Sequence, residues 1–168
     1  LHSFPTRRSS DLKLTFHGIL CLVLFYRNEF REKDGEIMSI MYKSTRSNSD
    51  KVTASQAILK GLADDGGLFV PDSIPALEVP LEKLADMTYQ ETAYEVMKLF
   101  LSDFTEEELK HCINGAYDDK FDTKEIAPLV KKDGAYYLEL FHGKTIAFKD
   151  MALSILPYLM TTRSEEHT

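Results

Sequence analysis

Two short motifs constrain this chain more than any other feature. Thr88-Tyr89-Gln90-Glu91 and Thr105-Glu106-Glu107-Glu108 are both Thr-x-x-Glu. In this pattern the threonine hydroxyl accepts from the backbone N–H three residues on, and the glutamate reaches back to the threonine's own N–H, so each motif fixes a helix start. Behind the first, Tyr89, Ala93, Met97 and Phe100 recur at three-to-four spacing; behind the second, Leu109, Cys112, Ile113 and Ala116 do the same. The spacing predicts two amphipathic helices that bury these stripes as core. With 43% hydrophobic and 28% charged residues among 168, the chain has enough apolar material for one domain or slightly more.

Turn formers divide the rest. Tyr42 to Thr45 reads as a short strand and Arg46 to Lys51 as a polar loop. Thr53 or Ser55 then starts a helix with Ala54, Ala57, Ile58 and Leu62 on one face, stopped by Gly61. Asp64-Asp65-Gly66-Gly67 reads as a tight turn, since it lacks the ligand count of a metal loop and the helix context of a phosphate loop. Leu68-Phe69-Val70 is expected as a buried strand, and Pro71, Pro75 and Pro80 as punctuation of an extended connection. Leu129-Val130 and Tyr136 to Leu140 flank Asp133-Gly134, a hairpin signal in which glycine takes the positive backbone angle. Met151 to Met160 is expected as one apolar helix, kinked by Pro157.

The net charge of −7 argues against nucleic acid or an anionic membrane surface as partner, because clustered Lys and Arg hold both. A small-molecule partner is expected instead. Cys21 and Cys112 show neither metal-ligand spacing nor a disulfide framework, which fits a reducing, cytoplasmic setting and no metal. The ends read differently from the middle. Residues 1–12 and 163–168 look like translated sequencing-adapter DNA, and residues 13–37 like upstream sequence ahead of a start at Met38 or Met41. A leader reading of Arg7-Arg8 and the apolar run Ile19 to Tyr26 is set aside: the run is short, and a charged stretch rather than a small-residue cleavage site follows it.

Chemistry concentrates in Phe141-His142-Gly143-Lys144-Thr145-Ile146-Ala147-Phe148-Lys149-Asp150. The strand before it and the helix after it deliver Lys149 to a helix start. The partial positive charge there disfavours an ammonium, so Lys149 is expected to have a lowered pKa and to attack an aldehyde more readily. Asp150 is placed to cap the helix or to orient the lysine, and Thr145 offers a hydroxyl. On residues alone a solvated lysine and a loop histidine at His142 remain the ordinary alternatives.

That segment, continued through Met151-Ala152-Leu153-Ser154-Ile155-Leu156-Pro157, closely resembles the cofactor-lysine segment of threonine synthases, Phe-His-Gly-Pro-Thr-x-Ala-Phe-Lys-Asp, with Lys144 in place of the proline. Tyr42 to Arg46, Ala57 to Ala63 and Asp65 to Pro71 look like the same family's amino-terminal domain. The resemblance covers roughly Met41 to Thr162. It implies an α/β architecture: an α+β amino-terminal domain at 41–125, then at 126–162 the start of a fold type II pyridoxal-phosphate domain. It further implies conversion of O-phospho-L-homoserine and water to L-threonine and phosphate. Lys149 would hold pyridoxal phosphate and shuttle protons, with Phe148 and Asp150 at the cofactor. His142 and Thr145 would line the pocket, and Ser44 or Arg46 would reach the substrate phosphate. The family's glycine-rich phosphate loop lies downstream of the lysine, so this chain alone is expected to be inactive and to bind the cofactor weakly. Two rival readings are a threonine-synthase-like phospho-lyase that releases 2-oxobutyrate and a non-catalytic helical binding module.

Overall fold

The computed structural model describes residues 39–47 and 51–165. The sequence readings for residues 1–37, for Cys21 and Met38, for positions 48–50 of the polar loop and for the tail beyond residue 165 lie outside that range. Strand β1 (Tyr42–Ser44) pairs antiparallel with β2 (Phe69–Pro71), Lys43 standing opposite Val70. Helix α1 (Ala54–Lys60) lies between them in sequence. Thr53 caps it through a reciprocal box with Gln56, and Asp103 accepts from the Ser55 N–H at 3.0 Å, so three of its orphan donors are satisfied. The expectation of a buried strand at 68–70 is corrected: Leu68 is 61% exposed and β2 is half-buried. A two-stranded ribbon has one covered face, and Leu68 lies at its open end.

Helix α2 (Leu81–Ala85) was not foreseen. Pro80 stands at its N-cap with φ −59°, an angle already suited to helix entry, so the residue read as extended punctuation also opens a helical turn. The two capping boxes form as expected at the starts of α3 (Tyr89–Phe100) and α4 (Glu106–Ala116). Glu91 accepts from the Thr88 N–H at 2.7 Å and Glu108 from the Thr105 N–H at 2.7 Å. All four residues of the α4 stripe are buried. In α3 burial falls on Tyr89, Thr92 and Ala93, while Met97 and Phe100 are half-buried at the rim.

Strands β3 (Leu129–Lys132) and β4 (Ala135–Leu138) form a hairpin. Asp133 (φ 52°) and Gly134 (φ 80°) make the two-residue turn with both angles positive, the geometry that matches strand twist. Pairing ends at Leu138 rather than Leu140. The single helix expected over Met151 to Met160 is corrected to two, α5 (Asp150–Leu153) and α6 (Leu156–Glu165), separated by a turn at Ser154-Ile155. Pro157 does not kink a helix interior. It is the second residue of α6, in the first turn, where no intrahelical partner for its missing N–H is lost.

Helix α6 packs against α1 and α4. Ile155 and Leu159 enter the same core as Tyr89, Leu109, Ile113 and Phe121, as do Ile126 and Ala127, so one core spans both sides of the domain division read at 125/126. Residues 163–165, read from sequence as part of an added tail, continue α6. Arg163 is buried, lies over the Phe104 ring at 4.2 Å and donates to the Glu108 carboxylate at 2.8 Å. No helix of the described residues is long and apolar enough to cross a membrane.

Candidate active site around Lys149

Lys149 is the residue at the N-cap of α5, and its ammonium has no hydrogen-bond or ion-pair partner among the described residues. The helix that follows it spans four residues. So short a helix aligns few peptide dipoles, and the sequence argument for a strong field at the lysine presupposed a longer one. What the structure supplies instead is a rigid mount. Asp150 is buried, and its carboxylate accepts from the Thr145 N–H at 2.7 Å and the Thr145 hydroxyl at 2.6 Å. Those bonds, led by the Thr145 hydroxyl, outweigh partial desolvation and hold the Asp150 carboxyl below the usual range. Gly143 lies against this carboxylate: a Cβ there would sit 2.6 Å from the Asp150 Cβ and Oδ2, which no side chain tolerates. The sequence offered Asp150 two roles, helix cap or lysine orienter. It closes the 145–150 loop, and through that loop it sets where Lys149 stands.

Ile146 adopts φ 59° and is 74% exposed, a left-handed conformation that a β-branched side chain adopts only against strain. Phe148 is likewise 74% exposed, beside the lysine. The loop thus presents an amine flanked by open apolar surface.

His142 begins the same segment. Its Nδ1 lies 2.5 Å from Asp122 and its Nε2 2.9 Å from Glu139, and Phe141 stacks on the ring at 4.6 Å. Partial desolvation works against protonation, yet the bonds to Glu139 and Asp122 prevail and raise the His142 pKa above the ordinary value. Neither ring nitrogen is left over for a ligand.

Ser44 and Arg46 form a separate cluster at the end of β1. The Ser44 hydroxyl donates to Asp65 at 2.7 Å, and Arg46 donates from Nη1 to the Asp65 carbonyl at 3.2 Å. Hydrogen bonds from Ser47 and Ser44 and the Gly67 N–H hold the Asp65 carboxyl down at about 2. The structure therefore ties Thr145 to Asp150 beside Lys149, turns His142 to Asp122 and Glu139, leaves Phe148 exposed, and holds Ser44 and Arg46 in a separate cluster on Asp65. Among the described residues no cluster suits a metal ion.

Sequence reasoning missed Asp122, Glu139 and Tyr117 as partners of this segment. Tyr117 donates its hydroxyl to the Met151 carbonyl at 2.7 Å across 34 residues, and Asp122 meets His142 across 20. No local pattern announces a contact at that separation.

Residues 41–117 fit the family model described as threonine synthase N terminus. A threonine synthase of Schizosaccharomyces pombe is 44% identical over 121 residues, which is 70% of this chain and 23% of that protein. The chain belongs to the threonine synthase family. A solved, pyridoxal-phosphate-bound threonine synthase from Brucella melitensis superposes with a TM-score of 0.69 at 32% identity, over 77% of this chain and 28% of that one. Threonine synthase-like 2 of Rattus norvegicus is 36% identical over 118 residues, 67% of this chain and 24% of its own length. The chain spans about a quarter of the length of the threonine synthases it matches. The mixed helix and strand content agrees with the α/β architecture of those neighbours.

Proposed function

We propose that this chain is the part of a threonine synthase that carries the cofactor lysine, in an enzyme that converts O-phospho-L-homoserine and water to L-threonine and phosphate. The observation that carries the reading is Lys149: an amine at a helix start with no partner among the described residues, on a loop locked by Asp150, inside a ten-residue stretch that departs from the family pattern only at Lys144. The residues present fit one half of a pyridoxal-phosphate site. They offer the amine and an exposed aromatic neighbour, Phe148, while a phosphate cradle is expected from sequence downstream of residue 162. When bound, the cofactor supplies the electron sink that stabilises a carbanion.

The chain's own residues do the rest. Lys149 Nζ would hold the cofactor, and as an amine it would take and return protons at the substrate's carbon atoms. Asp150 holds Thr145 and so fixes the backbone of the loop from which the Lys149 side chain projects. His142 and Thr145 line the pocket. Both are engaged within the protein, so their part is to shape the wall. Arg46 is exposed and uses one guanidinium nitrogen on Asp65, which leaves donors for a phosphate; Ser44 is buried against Asp65 and supports that turn. A cytoplasmic setting and the division at 125/126 belong to the same proposal.

Replacing Lys149 by Ala in the complete protein tests it: the cofactor's visible absorbance and the release of phosphate are both expected to vanish. Retention of phosphate release would overturn Lys149 as the cofactor lysine, and absence of both signals in the unaltered complete protein would favour a non-catalytic helical module. The similarity to threonine synthase-like 2 keeps one rival alive, a phospho-lyase that releases 2-oxobutyrate. Analysis of the organic product separates the two, threonine in the first case and the oxo acid in the second.

A further inference from the structure

We propose that the segment joining α4 to β3 is a two-point clamp that fixes the backbone on both sides of Lys149, with Tyr117 and Asp122 as its positioning residues. The consequence for catalysis rests on the role proposed for Lys149; the clamp itself does not. One jaw closes on the residues before the lysine. Asp122 takes His142 Nδ1 on its carboxylate, and its own N–H donates to the His142 carbonyl at 3.1 Å, so side chain and backbone are held by one residue. Glu139 holds the opposite ring nitrogen.

The other jaw closes two residues after the lysine, where Tyr117 donates to the Met151 carbonyl at 2.7 Å. That carbonyl needs the partner. Because α5 ends at Leu153, no backbone N–H completes a helical bond to Met151 O, and a half-buried carbonyl left alone is unfavourable. Tyr117 is well placed to supply it. It is 2% exposed and packed edge-on against Tyr89 at 4.8 Å and against Phe121 at 6.0 Å, so the hydroxyl is carried by a side chain that cannot swing. Burial also pushes its pKa up to about 12, which keeps it a donor under all ordinary conditions. Among the described residues the hydrogen bonds of the loop between the jaws stay within the loop, among them Asp150 to Thr145 and the Ile146 N–H to the Gly143 carbonyl at 3.1 Å. Its location relative to the core therefore depends on the two jaws.

Hydrogen–deuterium exchange of the full 168-residue chain tests this, with Tyr117→Phe and Asp122→Asn as variants. Phenylalanine keeps the ring packing, and the Asp122 side chain is 75% exposed, so both variants are expected to fold. Exchange over 150–155 in Y117F and over 142–147 in D122N is expected to rise about tenfold, while α1 stays protected as in the parent. The Lys149 acetylation rate, compared with that of Lys60 in the same sample, is expected to change at least about twofold, a readout that loss of packing elsewhere does not move. Unchanged exchange in both windows overturns the clamp, and so does a rise shared equally by α1. Failure of the Lys149→Ala test above would remove the enzyme and leave the exchange result intact, so the two ideas fail separately.

Discussion

In α4, Leu109 and Ile113 are each 1% exposed and Cys112 is fully buried, whereas in the β3–β4 hairpin Tyr136 and Tyr137 are 51% and 53% exposed. Both regions are short, regular and locally well specified. They differ in what holds them. The helical pair α3 and α4 carries its own start signals and a stripe that fills the core. The hairpin and the lysine loop carry good turn chemistry but little buried surface, and they are held by a few polar contacts. A region kept by packing resists most single changes at its surface. One kept by a handful of hydrogen bonds responds to each of them, which suits a segment whose lysine has to be positioned rather than merely retained.

The contrast can be broken in order of size. Leu109→Ala should lower unfolding free energy by about 3 kcal/mol in urea melts, the cost of a cavity in a collapsed site that cannot refill it. Thr105→Ala should remove about 1 kcal/mol through loss of the cap, with Thr88→Ala alongside it. Tyr137→Ala should change global stability by less than about 0.5 kcal/mol. If Tyr137→Ala cost as much as Leu109→Ala, the distinction between the two regions would fail.

Acidity sharpens the same comparison, because the lysine loop has two titrating anchors of opposite sense. Asp150 has a folded pKa below its unfolded one, so its contribution is present above the unfolded value and is lost as pH falls through the folded one. His142 is raised, so its contribution is complete below the unfolded value and is lost as pH rises through the folded one. Protection of the 142–150 amides, corrected for intrinsic exchange, should therefore peak at mildly acidic pH and decline on both sides, while α4 shows no such peak. A flat profile in the loop would mean that neither side chain anchors it. A change of opposite sign is expected at Ile146: Ile146→Asn relieves the left-handed strain and should raise stability by about 0.3 kcal/mol.

How much was legible follows the same line. Thr88, Thr105 and Thr53 announced their helices because a cap is written within four residues, and Asp133-Gly134 announced the hairpin for the same reason. Lys149 at a helix start was legible too, as was Asp150 beside it. The break between α5 and α6 was not. It is satisfied by Tyr117, 34 residues back, and hydropathy over Met151 to Met160 contains no trace of that partner. Leu68 was misread because an apolar residue in a strand signals burial only when something covers its face. His142 was read as a loop residue or a pocket wall: its partner Asp122 lies 20 residues back, outside any window a motif spans, and Glu139, three residues back, belongs to no pattern that announces the pair.

The two capping boxes bear also on the order in which the molecule assembles. Their contacts lie within a few residues of one another, and α3 and α4 pack together across the short link from Leu101 to Thr105. Loop closure of that kind is fast, whereas β1 must wait for β2 and α1 for α6 across much longer stretches. On a ribosome this helical pair emerges before the segment that carries Lys149. The nascent chain then carries a finished docking surface, with Tyr117 at its end, onto which the lysine-bearing segment settles as it emerges.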